Sequence, residues 1–208
     1  MRQIQLLGVS LVLAVAGCGG HSSITNPQPP PTFVTIEVRT AAGTPAAGAD
    51  VQLASTVLVG GYLEVTYGSA DNSGRVTFGS VAPNLYIVAA SAGGNVAAET
   101  LRVTSTGPPV LPALRLVKPG AFRGRATLQG ATQDDGVFVS SLAVFPLPLT
   151  ETDPRGAFLL GGVPPGHWTV EYERPGFRSV QTVGMIASPG DTVELPAVTL
   201  VHAPPGNP

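Results

Sequence analysis

Residues 71–86 recur at 153–168 without a gap, and this internal repeat limits the possible folds more than any other feature of the chain. Asp71, Gly74, Gly79, Val81 and Pro83 lie over Asp153, Gly156, Gly161, Val163 and Pro165, each 82 positions further on, and Tyr86 meets Trp168. A second echo closes each half: Leu111-Pro112-Ala113-Leu114-Arg115-Leu116-Val117 resembles Leu195-Pro196-Ala197-Val198-Thr199-Leu200-Val201, at an offset of 84. Two copies of one module are therefore expected, at 32–118 and 119–203, with a tail at 204–208. A period this long, present twice, indicates tandem globular modules and not a solenoid, whose repeats are shorter and more numerous.

Both copies read as strands. Val34, Ile36 and Val38 alternate with Thr35, Glu37 and Arg39, and Trp168, Val170 and Tyr172 alternate with Thr169, Glu171 and Glu173. That period of two marks strands with one buried face. Further β-branched or aromatic runs cover Val57 to Tyr67, Leu85 to Ser91, Val96 to Thr104 and Arg178 to Ile186. Gly93-Gly94, Gly107-Pro108-Pro109, Pro175-Gly176 and Pro189-Gly190-Asp191 punctuate them. With 26 Gly, 21 Pro and only 12% charged residues, the composition excludes an ordinary helical protein. Lys118 is the sole lysine, and the pI of about 5.9 argues against a nucleic-acid partner. The expected fold class is all-β: two tandem antiparallel β-sandwiches.

The repeated residues have a local physical meaning. An Asp opening a turn can accept from the backbone amide two residues on, and a following Gly takes positive φ without a Cβ clash. Val163-Pro164-Pro165-Gly166 stiffens a crossover, after which Tyr86 or Trp168 is aimed inward to fill the sandwich. These motifs also carry a family likeness. Ala47-Gly48-Ala49-Asp50-Val51-Gln52-Leu53 and Asp71-Asn72-Ser73-Gly74-Arg75-Val76-Thr77-Phe78 in the first half resemble carboxypeptidase regulatory-like domains. So do Asp134-Asp135-Gly136-Val137-Phe138-Val139, Asp153-Pro154-Arg155-Gly156-Ala157-Phe158, Val163-Pro164-Pro165-Gly166-His167-Trp168 and Arg174-Pro175-Gly176-Phe177 in the second. The first half departs at Asn84, where the family has Gly, and at Gly93-Gly94-Asn95, where Pro-Gly-aromatic is usual. The resemblance implies transthyretin-like, Ig-like sandwiches of about seven strands each.

The N-terminus carries an address. Arg2 precedes an apolar run from Leu6 to Ala16, too short to span a bilayer and of signal-peptide length. Val15-Ala16-Gly17-Cys18 resembles the lipobox of bacterial lipoproteins, which implies a signal peptide at 1–17 and acylation of Cys18. Cys18 is the only cysteine, so no disulfide is available. Residues 18–31, with Gly19-Gly20, Ser22-Ser23 and Asn26-Pro27-Gln28-Pro29-Pro30-Pro31, read as a flexible to semi-rigid tether. Gly19 replaces the Asp that resembles an inner-membrane retention signal, which favours the outer membrane.

Little in the chain points to catalysis. His21, His167 and His202 are the only histidines and lack metal-ligand spacing, and no Gly-x-Ser-x-Gly elbow occurs. His167 is out of phase with Trp168 and is expected at the surface or rim. Intradiol dioxygenases share a related sandwich but need two Tyr and two His on iron, and the His pair is missing. Asp134-Asp135 and Glu151-Thr152-Asp153 are read as turn anchors in preference to a calcium site. The expectation is a membrane-anchored, extracytoplasmic lipoprotein acting as a non-catalytic structural, adhesive or scaffold module, with no cofactor. Its partners would be membrane lipid, through acylated Cys18, and an envelope protein or glycan. The alternative is a pair of carbohydrate-binding accessory modules, with Tyr62, Tyr67 and Trp168 as stacking platforms, and a hydrolase with a dispersed site is the third reading.

Overall fold

A computed structural model describes residues 32–59, 62–105, 111, 113–141 and 148–204. The leader, Cys18, the tether, the Gly107-Pro108-Pro109 punctuation and residues 205–208 lie outside the described residues. Those described are strands, turns and extended connections, without a helix.

Seven strands build the first sandwich: β1 (Thr32–Arg39), β2 (Asp50–Val59), β3 (Tyr62–Ser69), β4 (Arg75–Val81), β5 (Asn84–Ala92), β6 (Asn95–Val103) and β7 (Leu114–Arg115). One sheet has the order β4-β1-β7 and the other β3-β2-β5-β6. The second sandwich repeats this plan with β8 (Gly120–Leu128), β9 (Phe138–Ser141), β10 (Leu149–Glu151), β11 (Ala157–Val163), β12 (Gly166–Glu173), β13 (Val180–Ile186), β14 (Thr192–Glu194) and β15 (Val198–Leu200). Its sheets are β10-β9-β12-β13 and β11-β8-β14, with β15 also on β8. The pairings are antiparallel except at the close of each half, where β7 joins β1, and β14 and β15 join β8, in parallel. Leu195-Pro196-Ala197 separates β14 from β15, since proline offers no amide to a ladder.

Alternation predicts the cores well. Val34, Ile36 and Val38 are buried together with Val51, Leu53, Phe78, Val88, Leu101 and Leu114. Phe122, Val139, Leu160, Val170, Tyr172, Ile186 and Leu200 belong to a separate second core, in which the Phe158 ring meets Tyr172 edge-on at 5.6 Å. Each such side chain contributes roughly 1.5–3 kcal/mol by leaving water. The run from Val57 to Tyr67 is not one strand: β2 ends at Val59, β3 begins at Tyr62, and these two residues pair. Gly60-Gly61 interrupts the β-branched run, and paired glycines favour a reversal over a continued strand.

The repeated turn is the same object twice. Asp71 Oδ1 accepts from the amides of Ser73 at 2.8 Å and Arg75 at 3.0 Å. Asp153 Oδ1 accepts from those of Arg155 at 2.9 Å and Ala157 at 2.8 Å. Gly74 and Gly156 both have φ +76, and a Cβ there would lie 2.5 Å from the Val38 carbonyl oxygen or 2.2 Å from that of Ala126. Those strands are tied to the turns by Val38 N–H donating to Gly74 O at 2.7 Å and Ala126 N–H to Gly156 O at 2.9 Å. The glycines are thus required by conformation and by close approach of the central strand.

Candidate functional site

The crossover into β5 and β12 ends in an aromatic whose polar atom reaches four residues back. Tyr86 donates its hydroxyl to Ala82 O at 2.9 Å, and Trp168 donates Nε1–H to Pro164 O at 2.6 Å. An aromatic with one polar handle can fill a core and cap a turn carbonyl together. The two copies then diverge. Tyr86 is 6% exposed and belongs to the first core. Burial holds its hydroxyl above the ordinary phenol range, and the Glu64 carboxylate pushes the same way. Trp168 is only half-buried, packing against the second core on one side and lining an open groove on the other.

Described residues from both halves belong to one compact unit, and the groove, of about 520 Å³, lies where the two halves meet. Ile87, Ala98, Glu99 and Thr100 line it from β5 and β6, and Pro165 at the bend before β12, residues 166–169 of β12 and Gln181 of β13 line it from the other side. Ile87 and Thr100 are register partners, so strand pairing places them side by side. A smaller hollow of about 310 Å³ shares Ala98, Glu99 and Pro165 with it. Gly166 leaves the indole uncovered: a Cβ there would stand 3.3 Å from Cζ2 and 3.5 Å from Nε1. Gln181 Nε2 donates to Glu171 Oε1 at 3.1 Å, which keeps its carbonyl available as an acceptor.

The alternation places Trp168 facing inward to fill the sandwich, and the structure buries it only in part. Tyr67 is 63% exposed on β3 and does not line the groove, so the three expected platforms are not one surface. Tyr62 begins β3, and its side chain lies outside the described residues. His167 is exposed at the groove's rim, in keeping with its parity. Glu99, Thr100 and Gln181 escaped the sequence reading because nothing local to them signals a groove whose other wall lies in the other half.

Of the loop carboxylates, Asp134 and Asp153 are engaged in folding. Asp134 Oδ1 accepts from Leu128 N–H at 2.8 Å, and the buried Thr152 hydroxyl donates to Asp134 O at 2.6 Å while accepting from Val137 N–H at 3.0 Å. Among the described residues there is no group of three or more His, Cys, Asp or Glu side chains placed to hold a metal ion.

No family model matches the chain, and no curated protein matches it. Among solved structures it is similar to GBS52, the minor pilin of Streptococcus agalactiae, at 16% identity over 85% of this chain and 99% of that one, with a TM-score of 0.38. It is similar to the Bacillus anthracis TIE protein at 13% identity, TM-score 0.35, covering 83% of this chain and 34% of that one. The chain thus spans about a third of the TIE protein's length. The shaft pilin SpaA from Lactobacillus rhamnosus GG is 11% identical over 85% of this chain and 99% of that one, with a TM-score of 0.30.

Proposed function

We propose that the chain is an extracytoplasmic lipoprotein whose two sandwiches act as a non-catalytic structural or adhesive scaffold held off a membrane by a tether. One observation carries this reading: the residues repeated between the halves are spent on folding. Asp71 and Asp153 organise turns, Gly74 and Gly156 admit the central strands, and Tyr86 and Trp168 cap crossover carbonyls. Residues used in this way keep each module folded, and none of these roles involves a substrate.

The anchor in this proposal is Cys18, acylated after removal of residues 1–17. Two or more acyl chains, at about 0.8 kcal/mol per buried methylene, hold where one chain is marginal. The Pro-rich stretch to residue 31 then acts as a spacer, and the modules occupy 32–118 and 119–203, in keeping with the resemblance to carboxypeptidase regulatory-like domains. Gly19 favours the outer membrane as destination, and the partners are membrane lipid and a neighbouring envelope component. The test is metabolic labelling with a fatty-acid analogue, followed by fractionation. The native chain is expected in the membrane fraction and labelled, and Cys18→Ala soluble and unlabelled. Equal labelling of the two removes the anchor.

A further inference from the structure

We infer that the groove beside Trp168 is a binding site for a neutral oligosaccharide, held between the two sandwiches. The scaffold reading leaves this groove unexplained, and the inference does not depend on the lipid anchor.

Three features of the groove point to this ligand class. First, the platform is pre-organised. The indole cannot swing while Nε1–H is bonded to Pro164 O at 2.6 Å, and Gly166 adds no side chain against it. A sugar ring presents an apolar C–H face to such a platform at little ordering cost. In the first half the equivalent Tyr86 is buried, so the duplication yields one such platform and not two.

Second, the polar lining suits hydroxyl groups. Thr100 can donate and accept, the Gln181 carbonyl accepts, and Glu99 is an exposed carboxylate without an ion-pair or hydrogen-bond partner among the described residues. A carboxylate has two oxygens and can accept from two neighbouring hydroxyls at once. No Lys or Arg lines the larger hollow, Arg115 lines only the smaller one, and Glu99, common to both, repels a phosphate or uronate.

Third, a groove of about 520 Å³ has room for more than one ring, and a smaller hollow shares Ala98, Glu99 and Pro165 with it. A proline-rich peptide also stacks on tryptophan, but proline carries no N–H, and its carbonyls only accept. Glu99 and the Gln181 carbonyl can only accept, so they match a ligand rich in donors. Sugar hydroxyls supply them.

Trp168 is the only tryptophan in the chain, so its emission reports on this groove alone. The full chain, in a detergent without a sugar headgroup, is titrated with cellotriose, maltotriose and chitotriose, reading emission and heat together. At least one is expected to give a saturable change, with a Kd on the order of 0.1–1 mM. Glu99→Gln and Thr100→Val lie on the other half from Trp168, and each is expected to weaken binding by about five- to tenfold with melting unchanged. Trp168→Phe, read by heat alone, is expected to weaken it by about tenfold. The inference is overturned if none of the three sugars gives a signal at 10 mM. It is equally overturned if the Glu99→Gln, Thr100→Val double variant binds as the native chain does, or if a proline decapeptide binds where the sugars do not.

Discussion

Gly156 and Gly162 lie six positions apart, at the entry and near the end of β11, and have nearly the same φ of +76 and +81. Their surroundings differ. A Cβ at 162 meets nothing within 4 Å, whereas at 156 it falls 2.2 Å from the Ala126 carbonyl oxygen and 3.0 Å from Asp134 Cβ. Gly162→Ala therefore measures backbone conformation alone. The left-handed region costs an alanine about 1–2 kcal/mol, and its stiffer unfolded chain returns about 0.4–1, leaving a loss of about 1 kcal/mol. Gly156→Ala incurs the same loss and must also push the turn back by about 1 Å to reach an ordinary contact. That retreat breaks the 2.9 Å bond from Ala126 N–H to Gly156 O. Adding about 1–1.5 kcal/mol for the bond and a similar amount for displacement of the Asp153 turn gives a total of about 3–4 kcal/mol.

Both residues belong to the second sandwich, so both act on the same unfolding transition. Urea titration of each variant, with the slope fitted freely, gives the two losses directly. For a sandwich of this size each kcal/mol moves the midpoint temperature by about 4–8 °C, so a thermal scan separates them as well. Equal losses, or a larger loss at 162, would falsify the account of Gly156 as a glycine required by strand approach. Gly74→Ala, with its Cβ 2.5 Å from Val38 O, is expected to reproduce the larger loss in the first sandwich.

Ser80, Asp71 and Tyr172 each carry a further prediction. Ser80 holds φ +56 at the bulge where its counterpart Gly162 sits, so Ser80→Gly is expected to raise stability, by up to about 1 kcal/mol, and a lowered midpoint in urea would contradict the strain. Stability should also fall at both pH extremes for identifiable reasons. The Ser73 hydroxyl, then the amides of Arg75 and Ser73, hold the Asp71 carboxyl below its ordinary value, so its contribution is complete above about pH 4 and lost as pH falls through the lowered value. The gap in melting temperature between the native chain and Asp71→Ala should therefore narrow in acid, and a constant gap would exclude the linkage. Burial raises the Tyr172 hydroxyl, against a smaller opposing effect of its bond to Thr182, so its contribution is complete below about pH 10 and lost above it. Tyr172→Phe is expected to flatten the alkaline decline, measured by the same scans.

Sequence alone determined the duplication, the all-β class, the core faces and the two Asp–Gly turns. The reason is range: Asp71 bonds to amides two and four residues away, alternation acts within one strand, and φ at Gly74 is a property of one residue. The parallel closing pairs were invisible because Leu114 finds Val38, and Val198 finds Ala126, only after the chain has crossed between sheets. Trp168 shows both regimes at once. Its bond to Pro164 O is local, and its place after the crossover was legible from the repeat. Its half-exposed ring was not, because the burial of one residue depends on what packs over it. Only the tertiary structure brings Glu99 and Thr100 of one half to the same groove as the tryptophan of the other, and no local pattern encodes a groove shared by residues nearly seventy positions apart.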